Sequence, residues 1–354
     1  MKKLFFLASV LTTALFTSCT STIELPMLQS ADLYLPEHIQ TIVTIDRSRP
    51  SKGFNNVVEG LLSGEGIGQD RRGRMRALDG LAATLTRTPR FNIKTTALEM
   101  KGSPAGNSFE SPLPWEEINR ICKQYGADAL IAMELYDSDN FISTEQRKDK
   151  KKDKEGKEYI ESYYVADMRT QVRIGWRLYD NRERHIIDQF TGTEDASSDA
   201  RGDTEEAAKG NLPDPEAITQ NVSFAAGELY GMRIAPVWVT VTREWYTNGK
   251  GAAKADMERA ARYAKTGEWD QASEIWTSLV NTAADEKNRG RAAYNMAVAN
   301  EREGQLRAAL QWARRAYTDF GNKKARNYVD LIRQRIFEQE RVEEQMGNGS
   351  NFQH

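Results

Sequence analysis

Gly267-Glu-Trp269-Asp-Gln-Ala272 and Gly304-Gln-Leu306-Arg-Ala-Ala309 carry one spacing twice. In each, glycine is followed by an apolar residue two positions later and by alanine five later. Ala260 and Tyr263 lie upstream of the first copy on a helical period, and Ala297 and Asn300 upstream of the second. Trp276 and Ala313 follow the two alanines four positions on. Glycine lets a chain reverse between helices, and alanine lets two helices approach closely. The stretch from Asp256 to Tyr317 therefore reads as two helical hairpins in series. Such a pair cannot cover its own apolar face and must stack on a neighbour.

The pattern resembles the tetratricopeptide (TPR) repeat. Carried over position by position, the resemblance places Met257, Ala261, Lys265, Arg291, Tyr294, Val298, Glu301 and Arg302 on the concave side of a groove. Lys265, Arg291, Tyr294, Val298, Glu301 and Arg302 are the expected partner-binding residues, and the implied partner is a protein. The other reading is a compact helical subdomain with no free groove. Two copies need a cap, and Lys323 to Gln345 supplies one, with Tyr328, Leu331, Ile332, Ile336 and Phe337 apolar at helical spacing.

The chain has 354 residues, enough for two domains, and 28% of them are charged. Discounting Lys2 and Lys3 leaves 47 basic against 51 acidic residues. No strong overall charge points to nucleic acid. Residues 1–18 read as a secretory signal, with Lys2 and Lys3 ahead of an apolar run from Leu4 to Phe16. The run ends in Phe16-Thr-Ser-Cys19, which resembles the lipobox of bacterial lipoproteins, with Phe16 in place of the usual leucine. The resemblance implies lipidation of Cys19 and membrane attachment through it. Thr20 follows where an aspartate would imply the inner membrane, so the expectation is the outer membrane, facing the periplasm. Residues 19–30 read as a tether.

Residues 31–247 read as an α/β domain with a mixed sheet. Ile39 to Ile45, Phe91 to Thr95, Asp128 to Tyr136, Val165 to Leu178, His185 to Thr193 and Pro236 to Tyr246 have strand character. Helices are expected from Asp70, from Trp115 to Tyr125, and around Ile218 to Met232. Residues 248–345 form the helical domain, and 346–354 a disordered tail. The fold class is thus mixed α+β, an N-terminal mixed-sheet α/β domain followed by an all-α TPR-like domain. Gly126-Ala-Asp128 resembles a helix-to-strand junction of small periplasmic α/β lipoprotein domains, such as curli-secretion channel subunits and activators of penicillin-binding proteins. Lipobox, α/β domain and C-terminal repeat pair together resemble a family of uncharacterised Gram-negative outer-membrane lipoproteins.

Reactive chemistry has little support. Two cysteines, Cys19 and Cys122, and three histidines, His38, His185 and His354, are not clustered as metal ligands. No Gly-x-Ser-x-Gly turn holds a nucleophile. Glu134 on a central strand is a buried acid with no evident partner. Gly64-Glu-Gly66-Ile-Gly68 lacks a Walker lysine and carries Glu65, which repels phosphate, so it reads as a loop. Arg71, Arg72, Arg74 and Arg76 read as a solvated helix face rather than an anion site. Arg147 to Lys157 holds seven basic and three acidic residues. It reads as a flexible hairpin tip, the sharper reading being contact with an acidic envelope polymer or lipid headgroups. No cofactor is expected. The functional expectation is a lipid-anchored, non-catalytic binding or scaffold protein of the cell envelope. The alternative is a small-molecule or glycan-binding lipoprotein with an aromatic-walled pocket in the α/β domain.

Overall fold

The computed structural model describes residues 19–49, 69–102 and 108–347. The expected signal at 1–18, the glycine-rich loop at Gly53–Gly68 and the tail beyond Gly347 lie outside the described residues. The fold is mixed α+β, with a five-stranded mixed sheet followed by an all-helical region. Two compact units emerge. One takes residues 19–27 and 239–340, the other 28–238 and 341–347.

The α/β unit contains β2 (Thr41–Arg49), α1 (Gln69–Thr86), β3 (Asn92–Lys101), α2 (Trp115–Tyr125), β4 (Ala129–Lys152), β5 (Glu158–Asp180), β6 (His185–Gly202), α3 (Glu205–Gly210) and α4 (Pro215–Ile234). Strand order is β3-β2-β4-β5-β6. β2 runs parallel to β3 and β4, while β4, β5 and β6 are antiparallel. Alternation sorts the strand residues into two cores. Ile42, Ile131, Met133, Val172, Ile174 and Trp176 pack with Ala77, Leu81, Val222 and Tyr230 of α1 and α4. Val43, Ile45, Leu130, Ala132 and Tyr179 pack with Ile118, Ile121 and Cys122 of α2.

Local signals set the helix ends. Pro114 precedes α2, Glu116 and Glu117 lie in its first turn, and Gly126 closes it at φ 63°. Asp214 caps α4 by accepting from Glu216 N. α1 and α4 touch through glycine. A Cβ on Gly227 would lie 1.9 Å from the Ala77 carbonyl oxygen, and one on Gly80 would lie 2.0 Å from that of Phe224.

Several expectations are corrected. β4 and β5 do not stop short of the basic run but continue through it, pairing to Lys152 with Glu158. The tip is an ordered turn in which Asp153 accepts from the backbone N–H of Glu155 and Lys157. Residues 19–30 are not a loose tether: β1 covers Thr20–Gln29 and pairs with β7 (Val237–Tyr246) in a separate two-stranded sheet. β7, read as the last strand of the α/β sheet, joins the helical unit from Val239 onward.

The helical unit adds α5 (Lys254–Lys265), α6 (Trp269–Thr282), α7 (Glu286–Arg302), α8 (Leu306–Thr318) and the first part of α9 (Lys323–Met346). Gly267 at φ 90° and Gly304 at φ 72° make the reversals inside the two hairpins. Ala260, Ala272, Ala297, Ala309 and Ala313 are buried between the helices, around Trp245, Trp269 and Trp276. Those three rings meet edge to face with centroids 5.6–6.0 Å apart.

Candidate functional site: a clasped main chain on helix α7

α7 is rich in alanine, so its backbone comes close to whatever lies against it. Asn288, Arg291 and Asn295 share one of its faces, at spacings of three and seven. Each asparagine offers one acceptor and a donor pair, the same groups a neighbouring β-strand would offer. Asn295 Oδ1 accepts from Tyr246 N at 2.7 Å, and its Nδ2 donates to Tyr246 O at 2.7 Å. Asn288 repeats this on Lys250, accepting from N at 3.0 Å and donating to O at 2.9 Å. Between them, Arg291 donates to Asn248 O at 2.8 Å and lies over the Tyr246 ring. Alternate residues 246, 248 and 250 are thus held through main-chain groups.

Upstream, β7 is fixed by charge. Glu301 is fully buried and accepts from Arg243 at 2.9–3.1 Å, from Tyr328 and from Arg335. Tyr294 packs on Tyr246 and Tyr328, with centroids at 5.4 and 5.0 Å. Burial pushes the Tyr294 phenol well up, the neighbouring Tyr246 ring adding to it. Burial does the same to Tyr328, and the Glu301 carboxylate reinforces it, so Tyr328 stays protonated and donates.

The expected groove residues therefore divide. Arg291, Tyr294 and Glu301 do converge, but on the chain's own segment. Tyr294, Val298 and Glu301 are buried, as are Met257 and Ala261, and cannot line an open surface. The reason is physical for Tyr294 and Glu301: side chains of β7 and α9 pack on the one and satisfy the other. Lys265 and Arg302 are exposed. Arg302 pairs with Glu303 and lies over the Trp269 ring. Asn288 and Asn295 were not among the expected site residues. Two buried asparagines seven apart on an alanine-rich helix are the signal that marks them.

Cys19 is exposed, and its carbonyl accepts from Thr247 N at 3.0 Å. The lipidation candidate is thus hydrogen-bonded to the clasped segment itself.

In the α/β unit, Glu134 has partners after all. Arg47 approaches it at 3.0 Å, Arg177 at 3.1 Å and the Tyr179 hydroxyl at 2.9 Å. Two guanidiniums and a hydroxyl thus occupy its carboxyl oxygens. Arg74 is buried on Asp46 at 3.0 Å, and Arg72 pairs with Glu216, so the arginine run is partly consumed in ion pairs instead of forming a solvated face. A hollow of about 300 Å³ over β4, β5 and β6 is lined by Phe141, Ile142, Met168 and Arg169 with serines and aspartates. It has a single aromatic wall, unlike the pocket a glycan site calls for. Among the described residues, no group of three or more His, Cys, Asp or Glu could hold a metal ion, and no helix is long and apolar enough to cross a membrane.

Two family patterns match the chain. One, described as a domain of unknown function (DUF8603), matches residues 39–246, and the other, a domain of unknown function (DUF6340), matches residues 258–334. No curated protein matches it. Among solved structures, a PelC dodecamer from Paraburkholderia phytofirmans is similar at 6% identity and TM-score 0.22, over 61% of this chain and 98% of that one. A putative neuraminyllactose-binding hemagglutinin homolog from Helicobacter pylori is similar at 9% identity and TM-score 0.25, over 69% of this chain and 93% of that one.

Proposed function

We propose that this protein, which belongs to the DUF8603 family, is a lipid-anchored binding or scaffold protein of the cell envelope that recognises protein partners through its helical-hairpin unit without catalysis. The observation that carries the reading is the clasp. α7 grips an extended main chain with two asparagines and an arginine, which is the chemistry of a peptide-holding face. The floor of that face is committed to Tyr246–Lys250. Partner recognition then falls to exposed side chains of the unit, and the exposure of Lys265 and Arg302 supports their role in it. The saturation of Glu134 by Arg47, Arg177 and Tyr179 supports a structural role for this fully buried acid of the sheet. The lipobox-like Phe16-Thr-Ser-Cys19 and the exposure of Cys19 support acylation there, with the outer membrane and the periplasmic side as the proposed location.

Two measurements test this. Radiolabelled palmitate should enter the wild type and not Cys19→Ala. Photo-crosslinkers at positions 265 and 302 should trap one envelope protein in common, with capture from 265 lost in Arg302→Glu and capture from 302 lost in Lys265→Glu, while one at the exposed Lys123 should not trap it. No label in the wild type sinks the anchor. Identical adducts from 123, 265 and 302 sink the recognition module, as would turnover of a wall component that depends on Glu134.

A further inference from the structure

The last six or so residue pairs of β4 and β5 stand beyond β6. β6 stops pairing at Tyr164 with Gly202, whereas β4 and β5 continue from Arg147 with Tyr163 to Lys152 with Glu158. The result is a two-stranded arm, closed by a turn with Gly156 at φ 84°.

Residues paired across an antiparallel ladder share a face, and the face alternates along the strand. The register therefore sorts the arm's charges. One face carries Arg147, Asp149 and Lys151 opposite Tyr163, Glu161 and Tyr159. Its charges are matched: Lys151 meets Glu161 at 2.6 Å, and Arg201 of β6 joins Glu161 and reaches Asp149 at 3.7 Å. Arg201 also covers the Tyr163 ring, and Arg147 pairs with Glu145. The other face carries Lys148, Lys150 and Lys152 opposite Ser162, Ile160 and Glu158. Here three lysines stand against one acid, with Lys152 and Glu158 3.7 Å apart. At the base of this face sits α3, where Gly202 leaves room for the Ala208 backbone, and its Glu205 pairs with Lys209. Among the lysines lies Ile160, 65% exposed.

We propose that this lysine face is a docking surface for an anionic lipid bilayer. The proposal goes beyond the recognition of protein partners by the helical unit and does not depend on it. Three points favour lipid. Lysines are point charges on apolar stems, suited to a headgroup layer in which the stem lies low and the ammonium reaches phosphate. Ile160 exposes an apolar branch at the centre of the charge, which costs free energy in water and is recovered at the headgroup–acyl boundary. A polyanionic glycan offers no such apolar layer. A single-stranded nucleic acid would call for exposed aromatic rings beside the lysines, whereas Tyr159 and Tyr163 lie on the opposite face. Edge lysines can also serve only to block strand-to-strand aggregation. That role needs no isoleucine among them.

The test uses the full chain with Cys19→Ala, so that no acyl chain contributes. Cosedimentation should show binding to phosphatidylglycerol/phosphatidylcholine vesicles, little binding to pure phosphatidylcholine, and weakening with salt. Each of Lys148→Gln, Lys150→Gln and Lys152→Gln should lower partitioning about fivefold, and the triple variant about a hundredfold. Ile160→Ser should weaken binding while leaving its salt dependence. Lys151→Gln, on the matched face, should cost less than any of the three. Circular dichroism of the exposed-arm variants should be unchanged. Equal binding to neutral and anionic vesicles would overturn the proposal, as would a triple variant that binds as well as its parent. Retention on a soluble anionic glycan with no vesicle binding would assign the face to a polymer. A triple variant that self-associates, from a parent that never bound vesicles, would assign the lysines to aggregation control.

Discussion

Asn295 grips Tyr246 on both sides of one residue, taking its N–H and giving to its C=O at 2.7 Å each. A side chain here offers the end of β7 the groups that a strand would, while the next residue, Thr247, bonds to Cys19 at the start of β1.

Removing that grip leaves a part-buried N–H and a part-buried C=O unpaired. Each such group costs about 1–3 kcal/mol. Asn295→Ala should therefore destabilise the helical unit by about 2–4 kcal/mol in urea unfolding followed by tryptophan emission, since Trp245 is the adjacent residue. Asn295→Asp keeps the acceptor but buries a carboxylate against the Tyr246 carbonyl oxygen, and should cost at least as much as alanine. A loss below about 0.5 kcal/mol for alanine would mean that the clasp is incidental.

Glu301 answers two arginines and a tyrosine at a fully buried position. Breaking a buried ion cluster from one side costs about 3–5 kcal/mol, because the guanidiniums remain without a counter-charge. Glu301→Gln should cost nearly this much, despite its matching shape. Combining it with Arg243→Met should recover part of the loss, which a double-mutant cycle measures.

The contact of α1 with α4 tolerates no side chain at its glycines. Gly227→Ala would drive a methyl carbon to 1.9 Å from the Ala77 carbonyl oxygen, and a backbone atom cannot yield as a flexible side chain does. The helices must separate, at a cost of about 3 kcal/mol or more. A drop in soluble yield or midpoint is expected there, while Gly210→Ala, with open space around its Cβ, should be tolerated.

Alkali should unfold the protein in a defined window. Burial raises the phenols of Tyr136, Tyr230, Tyr294 and Tyr328, and pushes the Cys122 thiol up to about 12. The unfolded chain releases these protons near the ordinary thiol and tyrosine values of about 8.5 and 10, while the native chain keeps them. Stability is then complete below about pH 8.5 and falls as pH rises beyond. At about pH 8, iodoacetamide should label Cys19 in unacylated protein and spare Cys122 until the chain unfolds.

How much of this was legible follows a physical line. Both ends of α2 could be read because Pro114, Glu116, Glu117 and Gly126 act on their own backbone neighbours. The hairpin reversals at Gly267 and Gly304 were legible for the same reason. Strand character in β7 was legible from its alternation, but its partner was not, since alternation names a face and never a neighbour. Thr20–Gln29 does alternate, with Ile23, Leu25 and Met27 turned inward between the exposed Thr22, Glu24 and Pro26, but Pro26 interrupts its donors and its place just after the lipobox-like run reads as a tether, so the strand that pairing with β7 makes of it was missed. In the clasp, Arg291, Tyr294 and Glu301 were named through the tetratricopeptide resemblance. The resemblance could not tell that β7 and α9 would cover them. Asn288 and Asn295 escaped because an asparagine on a helix reads as a solvent-facing residue unless its backbone partner is known.

The bond from Thr247 N to the Cys19 carbonyl leaves no slack between Cys19 and the helical unit. Once acylated as proposed, the helical unit is moored almost at its own hull. A long flexible leader would let such a body tumble and sweep a wide volume. A mooring this short confines its swing and keeps whatever it has caught within reach of the bilayer plane. Lengthening the leader by a few glycines between Cys19 and Thr20 would restore that freedom without touching a single recognition residue.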